Sequence, residues 1–157
     1  MPKFHEGLLV APKGRFAICV SRFNAMITEP LLAGAIDVLV RHGVKDEQID
    51  VYRVPGTFEL PATVRRVAEA RKHVGVMALG CVIRGGTPHF EYVSGEVTRG
   101  VGQVARDADC AVTFGVLTCD TAEQAFDRAG IKAGNKGAEA ALACLELANL
   151  FGQLGAK

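Results

Sequence analysis

The sequence predicts an α/β fold, a flavodoxin-like three-layer α/β/α sandwich built on a four-stranded parallel sheet. Three observations carry this expectation. Strand-like apolar runs alternate with segments of helical period along the whole chain. The strand runs are continuously apolar, as expected of parallel strands covered on both faces. No repeat, linker or low-complexity tract divides the 157 residues, so a single domain spanning 1–157 is expected.

Residues 1–15 hold one short apolar patch, 8–10, between charged and Pro/Gly segments. It reads either as a frayed terminus or as a lone strand added to the sheet edge of a neighbouring subunit. FAICV at 16–20 is the first core strand. After SRFNAMITEP a helix is expected, with Leu31, Leu32, Ala35, Ile36 and Leu39 on one face and Gly43 at its end. Residues 49–54 form a second strand, closed by Pro55 and Gly56, and a helix follows with Leu60, Val64, Val67 and Ala68 at helical spacing.

A third, fully apolar strand is expected at 74–83. Val93, Val97, Val101, Val104, Ala105 and Ala108 then mark an amphipathic helix. Residues 111–117 make a fourth strand, TCDT a capped turn and 121–129 a short helix; the last helix runs from near Asn135 to about Leu154. That helix carries more apolar positions than one face can hold, among them Leu142, Leu145, Leu147, Leu150, Phe151 and Leu154. A second apolar face implies a neighbour, so a homo-oligomer is expected.

Charge is balanced, with 18 Lys plus Arg against 17 Asp plus Glu. Nucleic-acid and membrane-surface partners, which need a clustered basic excess, are therefore not expected. Charged residues interrupt the N-terminus from Lys3 to Arg15, unlike a signal peptide, and uncharged runs such as 74–83 are too short to span a bilayer. A soluble, cytoplasmic protein is the expectation. The five cysteines, Cys19, Cys81, Cys110, Cys119 and Cys144, form no CxxC pair, and most sit in apolar runs where a thiol acts as a small hydrophobe. No metal site is expected among them. His5, His42 and His73 lie in polar or helix-end contexts and read as surface side chains.

In an open parallel sheet, ligands bind beyond the carboxyl ends of the strands. Four segments reach that edge: SRFN at 21–24, PGTFEL at 55–60, RGGTPH at 84–89 and TCDT at 118–121. Phe23 offers a ring to stack on, Thr57 and Glu59 a hydroxyl and a carboxylate, and the glycine-rich turn an anion cradle beside His89. The set fits a planar heterocycle, a polyol and a phosphate. Each residue also has a plainer role: Phe23 as a helix staple, Thr57 as an N-cap, Glu59 as a solvated first-turn acid, His89 as a cap of a tight βα turn. Lys136, in the first turn of the last helix, is mildly unfavourable there unless an anion is bound. No GxxxxGK[ST] and no GxGxxG after the first strand is present, which argues against a P-loop or dinucleotide fold. A cofactor-independent condensation or a binding role survives.

SRFN, VPGTFELP, GCVIRGGTPHFEYV, FGVLT, EQAFDRAG and KAGNKGAEAA stand in the order and spacing of one family. Together they span nearly the whole chain, which resembles the 6,7-dimethyl-8-ribityllumazine synthases of riboflavin biosynthesis. The resemblance implies condensation of 5-amino-6-(D-ribitylamino)uracil with 3,4-dihydroxy-2-butanone 4-phosphate, without metal or redox cofactor. By the same resemblance Phe23 stacks on the pyrimidine, the segment Gly56, Thr57, Phe58 and Glu59 holds the ribityl chain, and the strand end Cys81, Val82 and Ile83 contacts the uracil edge. Gly86 and Thr87 form the phosphate turn and His89 transfers protons. Phe114 and Arg128 come from the adjacent subunit, Arg128 on the phosphate, and Lys136 is a further active-site cation. A pentamer at least is implied, and the uninterrupted GIKAGNKG loop is similar to that of members that close into sixty-subunit icosahedral shells. Riboflavin synthase is the implied protein partner. A flavin-binding module or a shell-forming structural protein are the rival classes; both lack a need for His89, Arg128 and Lys136 together.

Overall fold

Alternate side chains of the central strands feed two separate cores, as the two-residue period of a strand requires. In β1 (Phe16–Ser21), Phe16, Ile18 and Val20 enter one core, and Ala17 and Cys19 the other. In β3 (Gly75–Ile83), Met77, Leu79 and Cys81 divide likewise from Val76, Ala78 and Val82. The computed structural model describes residues 1–155. With β2 (Ile49–Val54) and β4 (Ala111–Cys119) these strands form one parallel sheet of order β2-β1-β3-β4. Helices α1 (Ala25–Arg41), α4 (Ala122–Asp127) and α5 (Lys136–Leu154) cover the first core. Helices α2 (Leu60–Glu69) and α3 (His89–Asp107) cover the second. This is the three-layer, flavodoxin-like sandwich that the alternating pattern predicts.

The edge strand β2 departs from the continuously buried pattern: Val51, Tyr52 and Arg53 are exposed. Helix α1 starts at Ala25, earlier than expected, with Pro30 inside it. A proline there forfeits the bond to the carbonyl of Met26, an exposed residue at the second position of the helix. Helix α4 is shorter than predicted. Its Thr121 cap accepts from the Gln124 N–H at 3.1 Å, and Arg128 already stands outside as the C-cap.

Within the chain, residues 8–10 form no strand. They lie along α5, where Asn149 Nδ2 donates to the carbonyls of Leu8 (2.6 Å) and Val10 (2.7 Å), and Gln153 Nε2 to that of Glu6 (2.7 Å). The N-terminal segment is thus tied to α5 through side-chain amides, while Leu142 and Leu154 of that helix stay exposed.

The surface reading of His73 is overturned. Its side chain is only 2% exposed, and Nε2 lies 2.7 Å from Asp50 Oδ2, whose carboxylate also takes a two-pronged contact from Arg15. His73 precedes β3 and Asp50 belongs to β2, so the pairing staples the amino end of the sheet. His5 is exposed; His42 is half-buried with Nδ1 2.6 Å from the Val38 carbonyl. Among the described residues no helix is long and apolar enough to cross a membrane.

Candidate active site

The carboxyl ends of β1, β2 and β3 converge through main-chain contacts. Beyond β1 and β2 the ladder continues, with Arg22 N–H donating to the Val54 carbonyl (2.8 Å) and Phe23 N–H to that of Pro55 (3.0 Å). This carries the Phe23 ring past the sheet edge, where it is 72% exposed. Asn24 then turns the chain into α1 in a left-handed conformation, φ 64 and ψ 44. Asparagine tolerates that region better than most residues. Its carbonyl accepts from Ile27 and Thr28, and its Nδ2 donates to the Cys81 carbonyl at 3.0 Å. The buried Thr57 hydroxyl reaches the same carbonyl oxygen at 3.3 Å. One backbone oxygen of β3 is thereby held by both neighbouring loops.

Above this junction lies a cavity of about 650 Å³. Its walls contain Phe23, Gly56, Thr57, Phe58, Glu59, Cys81, Val82, Ile83, Thr87 and His89, ten of the residues singled out from the sequence. A short 3-10 turn, Thr57–Glu59, presents the second segment; α3 begins at His89 itself, directly after Pro88. Gly86 lies between Gly85 and Thr87, which line the wall, without lining it itself. Neither Gly85 nor Gly86 has a positive φ, and a Cβ at either would meet no atom within 4 Å. The fold of the turn therefore does not demand glycine, and the space beside it is open to a ligand.

Three of the predicted residues are elsewhere in this chain. Phe114 sits half-buried in β4, packed against the α2/α3 core. Arg128 and Lys136 line a second cavity of about 450 Å³ with Thr118, Cys119, Gln124 and Glu139. The Lys136 N–H donates to the Arg128 carbonyl at 2.9 Å, so the two positions are fixed to each other. Among the described residues no Lys or Arg lines the 650 Å³ cavity, leaving Glu59 and His89 as its ionisable groups besides Cys81 and Tyr92. Burial pushes the Cys81 thiol up to about 12, with Cys119 adding to the effect. A thiol so raised is protonated at neutral pH and serves as wall, not nucleophile. No group of three or more His, Cys, Asp or Glu stands together among the described residues as a metal site would require.

Asn24, Gly85, Phe90, Tyr92 and Val93 also line the cavity and were not singled out. Two signals point to some of them. An Asn immediately before a helix marks a left-handed turn, and Tyr92 follows His89 by three residues, which puts both on one helical face. Phe23, Phe58 and Tyr92, at 72%, 57% and 74% exposure, give this end of the molecule an aromatic rim.

The model of the family described as 6,7-dimethyl-8-ribityllumazine synthase matches residues 13–152. A 6,7-dimethyl-8-ribityllumazine synthase of Myxococcus xanthus (strain DK1622) is 63% identical over 161 residues, covering 99% of this chain and 96% of that protein. One from Anaeromyxobacter sp. (strain Fw109-5) is 63% identical over 147 residues, covering 94% of this chain and 90% of its own length. A third, from Anaeromyxobacter sp. (strain K), is 62% identical with 94% and 91% coverage. Agreement of this extent, across every segment that builds the cavity, means that the chain belongs to the 6,7-dimethyl-8-ribityllumazine synthase family.

Proposed function

We propose that the 650 Å³ cavity is where this transferase joins its two substrates. The reaction is condensation of 5-amino-6-(D-ribitylamino)uracil with 3,4-dihydroxy-2-butanone 4-phosphate to 6,7-dimethyl-8-ribityllumazine, with release of phosphate and water. The observation that carries the assignment is the convergence of Phe23, the 56–59 segment, the β3 end and His89 on one cavity. Phe23 stacks on the pyrimidine, and the backbone at Cys81, Val82 and Ile83 reads the uracil edge. Gly56, Thr57, Phe58 and Glu59 hold the ribityl chain; Gly86 and Thr87 take the phosphate.

The steps are imine formation, phosphate elimination, tautomerisation and ring closure by the ribitylamino nitrogen. His89, at the mouth of the turn, moves protons in these steps, a contribution of roughly 10²–10⁴-fold. Holding the two reactants in register supplies more, about 7–11 kcal/mol in favourable cases. None of the steps calls for a metal or a redox cofactor.

A dianionic phosphate needs a cation, and among the described residues no Lys or Arg lines this cavity. Supply of Arg128, with Phe114 and the tethered Lys136, by an adjacent subunit meets that need. The assembly is a homo-oligomer, a pentamer at least, of the kind that closes into a sixty-subunit icosahedral shell. The apolar Phe4, Leu8, Leu9 and Val10 are exposed, as are Val51 and Tyr52 on the β2 edge, which supports addition of the N-terminal segment to a neighbour's sheet. The reading puts the enzyme in the cytoplasm, with riboflavin synthase as the protein that takes up the lumazine.

Mixing the purified enzyme with both substrates and following lumazine fluorescence tests the assignment, with light scattering on the same sample. Lumazine formation by a pentamer or larger species is the expected result. No product from correctly assembled protein would favour a binding or shell role, and an active monomer would refute the shared site.

A further inference from the structure

Arg84 is the cation of the turn leading to His89, yet its side chain is occupied by protein groups. Nε donates to Asp120 Oδ1 at 2.8 Å, and Nη1 to Glu91 Oε1 at 2.8 Å. The guanidinium carbon stands 4.5 Å from the Phe90 ring centroid, within cation–π range. Its backbone N–H donates to the Cys119 carbonyl at 2.8 Å, so the sheet holds the main chain while the side chain bridges outward. One positive charge thus faces two carboxylates, which leaves little of it for an anionic substrate.

The turn itself has little packing to hold it. Residues 84–89 are all exposed, and a Cβ at Gly85 or Gly86 would meet nothing. What fixes the start of α3 is Phe90, buried beneath, and the Arg84 bridge. We infer that Arg84 is a positioning residue: by tying Asp120, just after β4, to Glu91 and Phe90 in the first turn of α3, it sets where His89 stands over the cavity. The same bridge fixes Asp120 at the start of the β4–α4 turn, so the first turn of α3 is held to the end of the sheet. The inference rests on the assignment of the cavity as the active site.

The test uses the assembled enzyme with Arg84→Gln and Arg84→Lys. Arg84→Gln is expected to lower kcat roughly ten-fold through misplacement of His89, with less than about a two-fold change in KM for the ribitylaminouracil. Amide hydrogen exchange across residues 85–92 is expected to quicken in the same variant. Arg84→Lys, which keeps charge but not the planar fork, is expected to recover part of kcat. In a His89→Ala background, adding Arg84→Gln is expected to cost less than it does alone, because the two act through one group. Unchanged kcat and exchange in Arg84→Gln would overturn the inference. So would a raised KM for the butanone phosphate alone, which would make Arg84 a substrate ligand. If Arg84→Gln does not assemble, Asp120→Asn and Glu91→Gln remove the two arms singly and are read by the same criteria. Loss of turnover in His89→Ala with an inert Arg84→Gln refutes only this inference, whereas an inert His89→Ala refutes the site.

Discussion

The side-chain amide of Asn24 donates to the carbonyl of Cys81 across 3.0 Å, joining the start of α1 to the end of β3 directly beneath the candidate pyrimidine site. Phe23 is the preceding residue, so this bond is expected to help set where its ring stands. Asn24→Ala removes the bond and leaves a β-carbon residue at φ 64 with no local compensation. The expected loss is about 1–3 kcal/mol in urea unfolding, with a raised KM for the ribitylaminouracil. Asn24→Gly relieves the backbone but not the lost bond, so it should recover stability more than KM. If KM is normal in both variants, the bond does not position Phe23.

His89 is exposed at the first position of α3, where its loss disturbs little packing. His89→Ala is expected to slow turnover by roughly 10²–10⁴-fold while leaving activity measurable, because the positioning walls survive. Stopped-flow and overnight assays cover that range. Abolition of all activity with assembly intact would mean that proton transfer outweighs positioning.

Arg128 and His89 line different cavities of one chain. A site shared between subunits predicts complementation. His89→Ala and Arg128→Ala chains, refolded together, should regain activity, because about a quarter of sites in a random mixture combine two intact halves. Arg128→Ala alone should raise KM for the butanone phosphate by loss of a charged contact. Mixed oligomers no more active than the average of the two parents would place both residues in one subunit's site.

Much of this architecture is legible in the sequence because the buried strands are apolar on both faces. Ile18, Leu79 and Ala78 need no partner to reveal their burial. His73 shows the limit: it looks like a polar helix-end residue until Asp50, 23 positions away, is brought beside it by strand pairing. Pro30 misleads for the opposite reason, since its local rule is strong but the bond it forfeits is the single one to the carbonyl of the exposed Met26. The segments that bear Phe23, Glu59 and His89 are recognisable as one sheet edge. Arg128 lines a different cavity from His89 in this chain, and whether a second copy brings the two together is a matter of packing between chains, which no local pattern encodes.

KAGNKG illustrates how one motif can serve packing as well as chemistry. Gly137 lies where α5 meets α1, and a Cβ there would stand 2.0 Å from the Leu31 carbonyl oxygen. Asn135 Nδ2 donates to the Pro30 carbonyl at 3.0 Å in the same contact. Gly137→Ala must therefore push two helices apart, at an expected cost of about 1–3 kcal/mol or more. Thermal unfolding should show the drop. A melting temperature equal to wild type would mean that the α1–α5 contact yields without strain.

The staple at the opposite edge of the sheet makes stability depend on acid. Asp50 accepts from Arg15 at 2.7 and 3.0 Å and faces His73 Nε2 at 2.7 Å, with the Tyr52 ring edge-on to His73. The hydrogen bonds from Arg15, then that from His73, hold its carboxyl down to about 2 from an ordinary 3.8. Since the folded value lies below the unfolded one, the ionised form is favoured by folding. Its contribution is complete above the unfolded value and disappears as pH falls through the folded one. The stability gap between wild type and Asp50→Asn should thus be fully present at about pH 5 and shrink on acidification toward about pH 2. Urea midpoints for the two proteins across that interval measure the gap directly. A gap that stays constant through the interval would show that Asp50 gains nothing from Arg15 and His73 on folding.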